Sequence, residues 1–253
     1  MDLRERSADS GQRHPWEVAR LRAIQSLIGS LARGRCSLRV LDVGCGDGFV
    51  GRELSRRADV RHVDGIDVHL TDREVDMLRK EGGKAIFYND YRDLPGEPYD
   101  LVLLLDVLEH VREDGRFLSD IAGRHLSRDG YLILTVPAIP FLYSGHDEYL
   151  SHFRRYERKA LVRLVHSANL SCIRSGSLFL SLLPIRLLEV LCRRITGGKN
   201  REAQGVGGWT AGKVLTRTVT TILQSDNRIA LFLNSFGVRI PGLTAWAICR
   251  KRA

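Results

Sequence analysis

Two short segments hold the side chains best suited to moving a proton. In YSGHDEYLSHFRRY, residues 143–156, His146 stands beside Asp147 and His152 follows; His110 lies in DVLEHV, residues 106–111. An imidazole titrates near neutral pH, so each can take a proton from a hydroxyl. His146 is the first candidate for a general base, His110 the second and His152 the third. Plainer roles stand beside these: His146 as a hydrogen-bonding residue that orders the FRRY turn, His110 as a helix-start residue shaping a pocket floor. Arg154, Arg155 and Tyr156 suit an acidic substrate, since a guanidinium offers a two-pronged fork to carboxylate or phosphate. A solvated helix start would use the same residues. Phe141 and Tyr143 are expected as walls of an acceptor pocket, because aromatics in a loop over a site need somewhere to pack.

A second kind of signal is RVLDVGCGDGFVGREL, residues 39–54, where Gly44, Gly46 and Gly48 separate an apolar run from a helix start. Glycines there permit positive φ angles and close approach of a ligand to the backbone. The spacing is not that of a dinucleotide loop, whose third glycine would fall at Phe49. It is not that of a phosphate-binding P-loop either, since no Gly-Lys-Ser/Thr follows.

Elements that would position these residues can be read from hydrophobic spacing. A helix begins at Pro15 and carries Val18, Leu21, Ile24, Ile28 and Leu31 on one side. Apolar strands in SLRVLDVG, RHVDGIDV, KAIFYND, YDLVLLLDV and GYLILTVPA alternate with helices in FVGRELSRRA, TDREVDMLRKEG and EDGRFLSDIAGRHL. Such alternation predicts an α/β fold with a doubly wound, mostly parallel sheet covered on both faces, with the ligand site at the carboxyl ends of the strands. Residues 1–13 are expected to be disordered and 14–253 to form one domain. Its core would be 38–137, followed by a helical cap insertion over about 139–213, and C-terminal strands such as LTAWAICRKR would complete the sheet. Six glycines in Gly197–Gly212 suggest a linker or mobile loop.

Composition narrows the partners. From Thr196 to the C-terminus nine Lys/Arg face two acidic residues, a local charge of +7 out of +9 overall. A basic end alone fits nucleic acid, anionic lipid, an anionic substrate or simple solubility. The apolar stretch Ser177–Cys192 holds Pro184, Arg186 and Glu189 and is too short to span a bilayer. It reads either as a buried cap helix or as a peripheral contact with membrane or a lipid-like substrate, flanked by Arg193, Arg194 and Lys199. The five cysteines are scattered with no C-x-x-C pair, so neither disulfides nor a metal site is expected. The polar N-terminus lacks the apolar core of a signal peptide, and a reducing cytoplasm fits best.

The pattern D-x-G-x-G-x-G at the end of a first strand resembles motif I of the class I S-adenosylmethionine-dependent methyltransferases. The resemblance extends in order over roughly residues 38–137, through Asp67, Asp90 and DVLEHV, the last similar to the small-molecule branch. It implies a seven-stranded Rossmann-like sheet binding S-adenosylmethionine and releasing S-adenosylhomocysteine. Gly44, Cys45, Gly46 and Gly48 would cradle the donor. Asp42 would meet its ammonium or hold the loop's amides. Asp67 would accept from the ribose hydroxyls with Val68 alongside, and Asp90 or the neighbouring Asp93 would serve the adenine amino group beside Tyr91. Asp106 and Val107 would complete that site. The implied reaction is an in-line displacement governed by positioning, needing no metal, with a base required for a hydroxyl or protonated amine. The expected acceptor is oxygen or nitrogen of a small molecule or of a lipid- or sugar-linked metabolite. RNA is the rival acceptor, but DVLE stands where base-amine methyltransferases carry an Asn/Asp-Pro-Pro-aromatic motif, and no Pro-Cys pair is present. A non-catalytic cofactor-binding subunit is the other alternative.

Overall fold

The computed structural model describes residues 13–31, 36–81, 83–196 and 209–252. Of the expected disordered stretch 1–13, only Arg13 is described, and it pairs with Asp47; the rest of that stretch, most of the glycine-rich segment, Lys199, and the side chains of Arg193 and Arg194 lie outside the described residues.

Seven strands form one sheet: β1 Leu38–Val43, β2 Val60–Ile66, β3 Ala85–Tyr88, β4 Tyr99–Leu105, β5 Leu126–Pro137, β6 Leu170–Leu178 and β7 Thr244–Lys251. Their order is β3-β2-β1-β4-β5-β7-β6, with β7 antiparallel to both its neighbours and the other pairings parallel. The order reverses between β1 and β4, the switch point at which such sheets bind ligands. The strands are apolar on both sides because helices cover both faces. Val40, Leu103, Ile133 and Ile248 face one core with α1 (Pro15–Leu31), α2 (Phe49–Ser55) and α3 (Asp72–Lys80). Their neighbours Leu41, Leu104, Leu134 and Ala247 face the other, with α4 (Asp114–His125) and α6 (Arg158–Ser167). This is the two-residue alternation of a strand applied to two cores at once.

The stretch 139–213 is not a single helical cap. It holds a 3₁₀ turn at Pro140–Leu142, the short helix α5 (Gly145–Tyr149), then α6 and β6, which belong to the main sheet, and only then α7 (Leu183–Thr196). Alternation fails to announce β6 because its register shifts between Cys172 and Arg174. Between α7 and β7 runs α8 (Lys213–Ser235), where further C-terminal strand had been expected. Its run of threonines has a strand-like composition, yet packing on α1 keeps it helical, and the hydroxyls are absorbed by carbonyls one turn back: Thr220 Oγ1 donates to Thr216 O at 2.7 Å and Thr221 Oγ1 to Arg217 O at 2.9 Å. It packs along α1, where the buried Asn227 accepts from the Phe179 amide at 2.9 Å and donates to Ala19 O at 3.4 Å.

Candidate active site

At the carboxyl end of β1 the chain turns through Gly44, Gly46 and Gly48 with φ of +70°, +55° and +73°. A β-carbon on Gly44 would lie 2.6 Å from Val107 Cγ2, and one on Gly48 2.7 Å from the Phe87 ring. Both positions therefore require glycine for conformation and for space. The loop is tied to β2 by the Gly44 amide, which donates to Ile66 O at 2.8 Å. The Asp67 carboxylate accepts from the amides of Gly46 and His69, each at 3.0 Å, and so braces the loop from the next strand end.

Asp42 is buried beneath this turn, and its Oδ2 meets no donor among the described residues. Burial is the main reason its carboxyl is pushed up to about 7. An orphaned carboxylate under a glycine cradle fits a donor that carries an ammonium group. Burial first, and then the nearby Asp67 carboxylate, push the Tyr91 hydroxyl up to about 12. Val68 is exposed at the end of β2. Asp90 accepts from the Arg92 amide at 2.8 Å and pairs with its guanidinium, contacts that hold its carboxyl at about 2. After β4, Asp106 takes φ +58° and accepts from Thr135 Oγ1 at 2.9 Å, while its other oxygen pairs with the buried Arg20 of α1.

Beside Asp106 opens a cavity of about 300 Å³. His110, His146 and His152 all line it, so the fold brings the three histidines together. The rings of His110 and His152 meet edge to face with centroids 4.7 Å apart. The segment carrying His152 is locked by Asp147, which is fully buried. One Asp147 oxygen contacts His152 Nδ1 at 3.0 Å and accepts from Arg155 Nε at 2.7 Å; the other accepts from the Ser144 amide at 3.0 Å. Burial alone would raise the Asp147 carboxyl, but His152 and Arg155 outweigh it and hold the group at about 2. The Phe153 amide donates to Glu109 O at 2.7 Å, stitching this segment to DVLEHV, and Tyr143 Oη donates to His152 O at 2.8 Å within the segment. Burial and then the Arg186 charge keep the His146 imidazole below its ordinary value, so it is neutral at neutral pH.

Several expected substrate residues have other work. Arg154 donates to Asp114 at 3.0 Å and to Arg112 O at 2.8 Å, and the Tyr156 hydroxyl reaches Asp114 at 2.8 Å and Leu108 O at 3.1 Å. Arg155 lines the cavity but is committed to Asp147 and Ala138 O. Phe141, 47% exposed, and Tyr143 lie outside the cavity wall. The walls are instead Trp16, Leu150, Leu182 and Leu243, with Arg20, Glu109 and Arg186 as polar members. Of these, Glu109 was adjacent to a recognised residue, whereas nothing local marks Trp16 or Arg20, which arrive from a helix remote in sequence. Although no metal was expected from cysteine spacing, Glu109, His110 and His152 each present a donor atom, all within 4.8 Å of one another.

A family model described as a methyltransferase domain matches residues 15–175. A mitochondrial ubiquinone biosynthesis O-methyltransferase from Candida albicans is 35% identical over 106 residues, 39% of this chain and 32% of that protein. A ubiquinone biosynthesis O-methyltransferase from Rickettsia felis is 27% identical over 134 residues, 51% of this chain and 54% of that one. The chain thus spans about a third to a half of the length of these relatives. Among solved structures, one described as a putative sarcosine dimethylglycine methyltransferase from Galdieria sulphuraria superposes with a TM-score of 0.56 at 17% identity, covering 91% of this chain and 86% of that one. A likeness at that identity carries the fold alone, but the family match takes in well over half of the sequence, including the whole glycine turn and DVLEHV. The protein therefore belongs to the class I S-adenosylmethionine-dependent methyltransferases.

Proposed function

We propose that the protein methylates a hydroxyl of a small, largely apolar acceptor held in the cavity, with His146 receiving the hydroxyl proton. The observation that carries this reading is the convergence of three histidines from two separate segments on one cavity beside Asp106. Bound S-adenosylmethionine supplies a methyl group already activated on a sulfonium. The protein's part is to hold, orient and deprotonate. The glycine turn, Asp42 and Asp67 hold the donor; Trp16, Leu150, Leu182 and Leu243 exclude water and bury the acceptor. Neutral His146 would take the acceptor's hydroxyl proton as the methyl group is transferred and pass it on to solvent. Positioning lowers most of the barrier; a base of this kind contributes roughly 10²- to 10⁴-fold. The relatives' names, O-methyltransferases of ubiquinone biosynthesis, support oxygen as the acceptor atom. Incubation with methyl-labelled S-adenosylmethionine and fractionated cell extract tests the reading. Label in the small-molecule or lipid fraction supports it, whereas label confined to RNA, or cofactor binding without turnover on any fraction, overturns it.

A second element of the reading concerns where the acceptor comes from. Leu182 and Arg186 of the α7 region face the cavity, while Ile185, Leu188 and Ile195 are 67%, 64% and 83% exposed. That is an amphipathic helix with its apolar face turned outward, the pattern of a helix lying on a lipid surface. Among the described residues no helix is long and apolar enough to cross a membrane, so the contact we propose is peripheral. Co-sedimentation with phosphatidylglycerol vesicles should be lost in the combined Ile185→Ser, Leu188→Ser and Ile195→Ser variant. Equal sedimentation of the two proteins would remove the membrane from the proposal.

A further inference from the structure

Away from the cavity, the sheet brings two thiols together. Cys172 on the edge strand β6 is the direct cross-strand partner of Cys249 on β7. Residues opposite one another in a ladder point to the same face, and both cysteines pack into the core that α4 and α6 cover. The α-carbons of an antiparallel pair stand about 4.5–5.5 Å apart, within the roughly 4.4–6.8 Å that a disulfide spans. Both are free thiols in this structure. Spacing along the chain gives no sign of the pair, because the two strands are far apart in sequence.

The two thiols are unequal. Cys249 is fully buried, while Cys172 is only partly so, at the edge of the sheet. The Cys172 thiol is held below its ordinary value, first by a hydrogen bond from Cys249 and then, against burial, by Ser175 and the charges of Arg158 and Arg239. Arg158 is fixed there by donating to Ser175 Oγ at 3.3 Å. Contact with Cys172, together with burial, pushes the Cys249 thiol up. A more acidic, accessible thiol beside a neutral one is the arrangement of an attacking cysteine and its resolving partner. The ladder also has room to adjust, since its register shifts between Cys172 and Arg174, and Cys172 Sγ reaches Arg174 O at 3.5 Å across that shift.

We infer that Cys172 and Cys249 form a reversible disulfide when the protein meets hydrogen peroxide, fastening the edge strand β6 to β7. The Cys172 thiolate attacks one peroxide oxygen and the O–O bond breaks. Cys172 becomes a sulfenic acid, and the departing hydroxide takes up the proton that Cys172 had released. The Cys249 sulfur then attacks the Cys172 sulfur, the S–O bond breaks, and the second hydroxide leaves as water with the Cys249 proton. Two thiols are oxidised to one disulfide while the peroxide is reduced to water. The bond closes a long loop that contains α7 and α8, and closing so long a loop favours the folded state. This device stands apart from the methylation reading.

The full chain carrying Cys36→Ser and Cys192→Ser, which removes the two exposed thiols, would be treated with hydrogen peroxide and then with dithiothreitol. Peroxide should leave only the Cys45 thiol free, in a monomer lighter by two hydrogens, with a peptide pair joining Cys172 to Cys249; dithiothreitol should restore both thiols. The oxidised protein should melt several degrees above the reduced one. Adding Cys172→Ser should abolish the crosslink and leave Cys249 reduced, and at a partly exposed position it spares the core that Cys249→Ser would disturb. Retention of both thiols, sulfinic acid on Cys172 without a crosslink, a crosslink to Cys45, or joining of two chains overturns the pair. An oxidised protein that melts no higher than the reduced one overturns the fastening of β6.

Discussion

At the scale of single residues, burial and charge assign different tasks to chemically similar groups. His146 and His152 line one cavity, yet the buried Asp147 carboxylate fixes the His152 ring, while burial and the Arg186 charge keep His146 neutral. A base acts only when unprotonated, so activity should rise as pH climbs through a value below the ordinary 6.5 of histidine and then level off. A pH profile of kcat/KM in wild type, lost together with about 100-fold of kcat in His146→Ala, is the expected pair of results. Gly44 makes a different point. Its φ of +70° and the 2.6 Å approach of Val107 Cγ2 mean that Gly44→Ala must both strain the backbone and move β4's following turn. About 1–3 kcal/mol of stability should be lost in urea melts, with S-adenosylmethionine binding weakened more than the melt alone explains.

At the scale of elements, the segment from Ser144 to Tyr156 is organised around one buried carboxylate rather than around its own short helix α5. Asp147 gathers the Ser144 amide, His152 and Arg155. Its carboxyl is held at about 2, against 3.8 ordinarily. Because the folded value is the lower one, the native state holds the proton less tightly than the unfolded chain. The stabilisation, on the order of 2 kcal/mol, is therefore complete above about pH 4 and fades as pH falls toward 2. Thermal melts across that range should show a steeper acid loss in wild type than in Asp147→Asn, which lacks the titration. The variant should also be less stable at neutral pH, since Arg155 would be left buried without its carboxylate.

At the scale of the molecule, α1 joins the two halves of the site. Trp16 and Arg20 of this helix and His14 just before it line the cavity, Arg13 pairs with Asp47 in the glycine turn and stacks on Phe49, and the helix packs on α8. The long connection between β6 and β7, where α8 lies, thus supports the helix that closes the donor side. Arg20 is the strongest single tie, being buried and paired with Asp106. Arg20→Leu should leave that carboxylate without its cation and lower stability by about 3 kcal/mol, measured by denaturant unfolding. The loss should be smaller in the Arg20→Leu, Asp106→Leu double variant, because both partners of the pair are then removed.

Much of this architecture is legible without coordinates. The alternating sheet, the first helix at Pro15 and the last strand follow from short-range periodicity, and the glycine turn declares itself because only glycine tolerates its φ angles and its crowding. Those are local constraints, written into neighbouring residues. Strand β6 is blurred by its register shift and α8 by its threonines, where tertiary pairing and burial override local preference. The site's polar members are decided at longer range still. That Arg154 and Arg155 serve internal carboxylates, that Phe141 faces outward, and that Glu109 is left unpaired between two histidines depend on which segments meet in space. The parallel strands, the last strand and the glycine turn are written in the sequence itself, because periodicity and steric permission are properties of adjacent residues. Only the tertiary structure decided which charges are paired and which remain available for chemistry, because hydrogen bonding and desolvation are settled between residues far apart in the chain.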